Sequence, residues 1–358
     1  MAMKSLVMAL AAVWLLGCGK MPGKSDAGCA PGALAGCDYG VDGDAEPRTQ
    51  QLSVTDATTG RALPVLARLP PTGAGPFPVV VWSHGGGLAD NGQNFSPEWG
   101  RTLAQHGFVA LSIGHPSLTV DAGAAVCARG GVPTAECVPP TDDDDGLLTL
   151  VKTLDVNAVL EALPALRSEL AAKARLDLAH VGVMGWSAGA RGPLAAQGTS
   201  IFPTPGAPTF SLPHATPKAV VALSPMGPGW AGYYDEASRN SWSSTRGPVL
   251  VVTGNNDTKP QKPGLTGATR RVVYERQAAD GQRWLLYSNL AEGVGGHPSY
   301  NLEDLGSSDA RLNRLSRAIR SVVLAFLDAE LRDDAAAQAW LASDAAKTLA
   351  GDADWEHK

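Results

Sequence analysis

A buried strand that ends abruptly in a Gly-x-Ser-x-Gly turn constrains this chain more than any other feature. The apolar run Val181-Gly-Val-Met184 leads without a break into Gly185-Trp-Ser-Ala-Gly189, and small residues follow to Gln197. A strand that turns this tightly into a helix needs Gly on both sides of the corner. The corner residue then carries its side chain outward in a strained conformation, with a helix starting beneath it. Ser187 is therefore the candidate nucleophile, and Ala190–Gln197 the expected helix. The alternative is an ordinary strand-to-helix turn. Either way, a strand apolar on both faces belongs inside a parallel sheet.

The rest of the chain supplies such a sheet. Apolar or β-branched runs at 51–55, 63–69, 77–83, 108–113, 218–223, 248–253 and 284–288 read as further strands. Helical spacing is visible at 96–106 and 147–170, where Pro164 is expected to kink or divide the helix, and again at 266–278 and 305–331. Alternation of this kind predicts an α/β fold with a mostly parallel, eight-stranded sheet and helices on both faces. With 358 residues and 44% hydrophobic content, the chain is long enough for one substantial core.

Chemistry in such a sheet gathers past the carboxyl ends of the strands, and three groups stand there in chain order: Ser187, Asp257 and His297. A serine hydroxyl needs a base to take its proton, and the base needs a carboxylate to fix its tautomer. Asp257 follows the strand ending at Thr253, with Asp235 as the alternative acid. His297 follows the last strand; His115 and His214 compete with it, His115 being read as structural. His84-Gly-Gly-Gly87 follows another strand and leaves backbone N–H groups free to meet a developing oxyanion. Gly86 is the expected donor, with Gly87 behind it and Ala188 as the second amide; His84 is expected to brace the loop. Trp186, Trp230 and Tyr233 are candidates for lining a substrate pocket, with core or lid packing as the alternative.

Composition excludes some classes. A net charge of -6 with 18% charged residues and no basic stripe argues against nucleic acid. The N-terminus reads as a processing signal over 1–17: Lys4, then the apolar run Leu6–Leu16, too short for a membrane span. Residues 18–49, rich in Gly, Ala, Pro and Asp, read as a flexible tether, residues 50–342 as the folded domain, and 343–358 as a polar tail. After Cys18, four cysteines remain in two close pairs, Cys29/Cys37 and Cys127/Cys137. They suggest two disulfides in an oxidising compartment, other pairings staying open. A zinc site is the weaker reading, since the spacings are wide and no His is near. Asp142–Asp145 lack EF-hand spacing and read as a solvated loop.

Two resemblances follow from these residues. Leu15-Leu-Gly-Cys18 resembles a bacterial lipobox, which implies diacylation of Cys18 and a protein lipid-anchored in the cell envelope, or secreted if Cys18 is not acylated. From about residue 50 to 342 the chain resembles the α/β-hydrolase superfamily. The nearest branch holds platelet-activating-factor acetylhydrolase-like and dienelactone-hydrolase-like proteins, next to bacterial polyester hydrolases. The carrying residues are Trp82-Ser-His-Gly-Gly86, His106-Gly-Phe-Val109, Gly185-Trp-Ser-Ala-Gly189, Gly254-Asn-Asn-Asp257, Gly296-His297 and Ala325-Phe-Leu-Asp-Ala-Glu-Leu331. Two departures matter. True dienelactone hydrolases use a cysteine where this chain has Ser187, and polyester hydrolases usually carry Met where it has Ala188. The resemblance implies a serine esterase or lipase-like hydrolase, acting on a small or polymeric ester without metal or organic cofactor. The alternatives are a non-catalytic surface binding module on the same fold, or a peptidase or amidase.

Overall fold

A computed structural model describes residues 38–40, 45–137, 146–202, 209–236, 238–259 and 261–358. Cys18, Cys29, Cys37 and Asp142–Asp145 lie outside the described residues. Nine strands make one mixed sheet. In chain order they are β1 (Arg48–Thr55), β2 (Ala62–Leu69), β3 (Phe77–Ser83), β4 (Val109–Ile113), β5 (Leu176–Trp186), β6 (Ala219–Leu223), β7 (Val249–Gly254), β8 (Arg283–Ser288) and β9 (Ala353–His357). Their order across the sheet is β1-β2-β4-β3-β5-β6-β7-β8-β9. The strands from β4 to β8 run parallel, and the flanking β1, β2 and β9 pair antiparallel.

The central strands are apolar throughout because both faces are covered. Along β3, Val79 and Val81 enter one core while Val80 and Trp82 enter the other; β7 repeats this with Val249 and Val251 against Leu250 and Val252. The first core is closed by α2 (Val120–Arg129), α3 (Gly146–Leu170), α4 (Arg191–Ala196) and α5 (Gly267–Glu275). The second is closed by α1 (Pro97–Gln105), α6 (Ala310–Arg332), α7 (Ala335–Leu341) and α8 (Ala345–Ala350). The helices expected in the sequence are present within a few residues of their bounds, although α3 runs undivided through Pro164.

The chain order reverses between β3 and β5. From β3 the chain steps one way to β4, then crosses back so that β5 lies on the other side of β3. That reversal opens a crevice at the carboxyl ends of the two strands, where ligands bind in open α/β sheets. Ser83 stands opposite Gly185 in the ladder, which sets the His84–Gly87 loop beside the Ser187 turn.

The structure corrects three sequence readings. The sheet has nine strands rather than eight. The ninth comes from the supposed polar tail: α8 buries Ala345, Ala346 and Leu349, and β9 pairs with β8. Alternation explains it. Trp355 stacks on Trp284 with ring centroids 5.2 Å apart, while Asp354 and Glu356 point the other way and pair with Arg271. The tether expected to 49 is folded in part as well, since β1 starts at Arg48 and Tyr39 is buried, its hydroxyl donating to Asp328 Oδ2 at 2.8 Å. The insertion after β4 is partly helical, and Cys127 and Cys137 sit at disulfide distance with Cα atoms 5.8 Å apart.

Candidate active site

The turn after β5 has the conformation that its glycines imply. Trp186 is extended, and Ser187 takes φ 55° in the left-handed region, which costs a non-glycine residue roughly 1–3 kcal/mol. The glycines make room for the corner. A Cβ on Gly185 would lie 2.2 Å from the Gly189 carbonyl oxygen, and one on Gly189 would lie 2.1 Å from the Ser83 carbonyl oxygen. Neither contact is tolerable against backbone, so the sharpness of the turn rests on both positions.

Ser187, Asp257 and His297 meet at this corner from three separate segments of chain. Ser187 Oγ lies 2.8 Å from His297 Nε2, and His297 Nδ1 lies 2.8 Å from Asp257 Oδ1. With Nδ1–H donating to the carboxylate, Nε2 carries a lone pair that can accept the serine proton. His297 opens a short 3-10 turn, His297–Asn301, after the loop that leaves β8; Pro298 follows it at a position where a missing N–H is harmless. Its ring is stacked under Trp186 with centroids 4.8 Å apart, and Trp186 Nε1 donates to the His297 carbonyl at 3.2 Å. Trp186, the residue before Ser187, thus fixes the plane of the His297 ring.

Asp257 is fully buried and held by groups that the sequence did not point to. Thr253 Oγ1 donates to Oδ2 at 2.7 Å, Ser224 Oγ donates to the same oxygen, and Arg270 Nε stands 3.2 Å from Oδ1. Burial alone would push this carboxyl up; the Arg270 guanidinium, His297 and Ser224 outweigh it and hold the carboxyl below its ordinary range. Arg270 also donates to the carbonyls of Ser224 at 2.7 Å, Pro225 at 2.8 Å and Asp257 at 3.1 Å, so it ties the exits of β6 and β7 together. Ser224 is itself left-handed at φ 51° and places its Oγ 2.8 Å from His297 Nδ1. A polar residue directly past a central strand was the only available signal for Ser224. Arg270 carries none.

The glycine loop stands across from this corner. Gly85 passes so close to the Trp186 ring that a Cβ would come within 2.5 Å of it. Gly86 takes φ +75°, with open space where its Cβ would project. Among the described residues the amides of Gly86 and Gly87 donate to no backbone carbonyl, which leaves them available to an oxyanion. Ala188 is buried directly after Ser187, in the first turn of Ser187–Ala190. His84 braces the loop as expected, with Nδ1 2.7 Å from the Gly85 carbonyl. Burial and then Lys152 bring its imidazole down to about 3, so it is neutral.

The competing assignments fall elsewhere. Asp235 is paired with Arg276 at 2.6 Å, and His214 Nδ1 accepts the Thr216 amide at 3.2 Å. His115 is fully buried and bonded to Asp155 and Ser83. Tyr233 is buried in the core, its ring centroid 5.5 Å from that of Trp242. The segment folds back under α3, where the Ala231 carbonyl accepts Thr149 Oγ1 at 2.7 Å, in line with the core-packing alternative. Trp230 is half-buried with Lys262 Nζ 5.7 Å from its ring centroid. Of the three aromatic candidates, Trp186 is the one shown in contact with His297. Among the described residues no group of three His, Cys, Asp or Glu side chains is placed to hold a metal ion. Compared with known proteins, the chain matches no protein-family model and no curated protein.

Proposed function

We propose that the protein is a serine carboxylic ester hydrolase on an α/β-hydrolase fold. The reading rests on the continuous hydrogen-bonded line from Ser187 through His297 to Asp257, with both links at 2.8 Å. Ser187 Oγ attacks the ester carbonyl carbon as its proton passes to His297 Nε2, and the carbonyl π electrons move onto oxygen. The Gly86 and Ala188 amides stabilise that oxyanion, while Asp257 stabilises the imidazolium. Collapse of the tetrahedral species breaks the C–O bond, and His297 returns its proton to the departing alkoxide. Water, deprotonated by the same imidazole, then attacks the acyl-serine and releases the acid. Every proton taken is given back, so the cycle consumes only ester and water.

The lipobox-like Leu15-Leu-Gly-Cys18 supports placing this hydrolase in a bacterial envelope, anchored by acyl chains on Cys18. Hydrolysis of a p-nitrophenyl ester series from acetate to palmitate tests the activity. Turnover by the parent protein that disappears in Ser187→Ala supports it, and the chain-length profile sizes the acyl pocket. Folded parent protein that turns over no ester in the series would contradict it.

A further inference from the structure

A second Ser-His-Asp set stands at the root of the glycine loop. Ser83 Oγ lies 2.8 Å from His115 Nε2, and His115 Nδ1 lies 2.8 Å from Asp155 Oδ2. All three are fully buried, so no substrate reaches Ser83 and the set is not a second catalytic centre. Arg61 extends it by donating to Asp155, and to the Pro116 carbonyl at 2.8 Å. Lys152, equally buried, donates from Nζ to the His84 carbonyl at 3.0 Å.

Burying this many charges is costly, and a buried ion pair is weak evidence for stability as such. What the set touches is more informative. The imidazole of His115 grips Ser83, the last residue before the loop. Its main-chain carbonyl accepts the Ala89 amide at 2.6 Å, just past the loop's far end. Gly86 and Gly87 hang between those two fixed points. Burial, followed by Lys152, His84 and Arg61, keeps the His115 imidazole well below its ordinary range and hence neutral. With Nδ1–H given to Asp155, the Nε2 lone pair faces Ser83, whose hydroxyl donates to it.

We infer that His115 is a positioning residue that clasps both ends of the 84–89 loop, through Ser83 and Ala89, and thereby aims the Gly86 amide at the oxyanion. Asp155 and Arg61 hold the clasp closed. The inference rests on the esterase reading of Ser187. It predicts that loosening the clasp weakens transition-state binding and leaves ground-state binding alone.

The test uses full-length parent protein, Ser83→Ala and His115→Gln, with rates normalised to sites titrated by a fluorophosphonate. Kinetics on p-nitrophenyl acetate give kcat and KM. The inhibition constant of a trifluoromethyl ketone, whose hemiketal oxyanion occupies the same hole, gives the second readout. Removing an oxyanion donor outright costs about 10²–10³ in kcat, so misaiming one is expected to cost about ten-fold or more. In both variants kcat should fall by that factor and ketone affinity with it, while KM stays within about two-fold. Unchanged kcat and ketone affinity per titrated site would overturn the inference, even if the melting temperature falls. Should His115→Gln not fold, Ser83→Ala, which removes one hydroxyl, decides alone; its own failure to fold would make the set a stability element and overturn the inference too. A parent protein inert to both ester and fluorophosphonate would instead remove the esterase reading beneath it.

Discussion

At the level of single residues, the proposed triad is held mainly by the neighbours of Asp257. Asp257 keeps its charge in a buried setting because Thr253, Ser224 and Arg270 converge on its oxygens. Replacing Ser224 with Ala removes one charge-assisted hydrogen bond, about 1.5 kcal/mol, and is expected to lower kcat about ten-fold with little change in KM. Steady-state kinetics against the parent check this. Arg270→Met leaves the Asp257 carboxylate buried without its cation, which typically costs about 3–5 kcal/mol; a urea melt reads that loss directly. Ser187, Asp257 and His297 were legible because each follows a recognisable strand in a fixed order. Ser224 and Arg270 were not, because a hydroxyl on a loop and an arginine on a helix acquire meaning only once β6 and β7 are side by side. Tyr233 misled for the converse reason: glycine-rich surroundings say nothing about which way a ring turns.

At the level of elements, the turn after β5 and the C-terminal edge carry the most information. The turn is a contact between two backbone segments, since Gly189 rests against the carbonyls of both Ser83 and His84. Gly189→Ala forces a methyl into that contact and is expected to cost at least about 3 kcal/mol, the upper range for overpacking; failure to obtain soluble protein, or a urea midpoint lowered by that amount, meets the expectation. The edge strand β9 was hidden in the sequence because Ala353-Asp-Trp-Glu-His357 is short and half charged. Its register becomes evident only against β8, where Trp284 lies between Trp355 and His357. Removing residues 352–358 uncovers the β8 edge and Trp284 together. The truncated protein should lose roughly 2–3 kcal/mol and associate through the open edge, as urea melts and light scattering would show. The central strands and α6 were the easiest elements to read, because burial on both faces leaves an unbroken apolar run and burial on one face leaves a helical period.

At the level of the whole molecule, a sheet covered on both faces buries several ionisable groups, and these shape the response to acid. His84 and His115 are both held neutral by burial, while burial pushes the Asp155 carboxyl up to about 7 against the pull of Arg61 and Lys152. Between pH 3.8 and 6.5 the unfolded chain binds protons on both imidazoles that the folded state refuses, and the folded state keeps one on Asp155 that the unfolded chain releases. Of these three, the two imidazoles make stability rise with pH across that window and Asp155 makes it fall, so their net slope is upward. Asp257 and Asp328, both held below their ordinary range against the cost of burial, add stability that is lost as the pH falls further through their folded values. Urea midpoints should therefore rise from pH 4 to pH 6.5, and a flat or falling profile would contradict this account of the buried sites. The central claim, that this architecture exists to make Ser187 a nucleophile, is tested most directly by covalent labelling. Full-length protein treated with a fluorophosphonate should gain a single adduct, mapped by peptide mass spectrometry to Ser187 and absent in His297→Ala. Folded protein that takes up no label, or takes it on another serine, would contradict the claim.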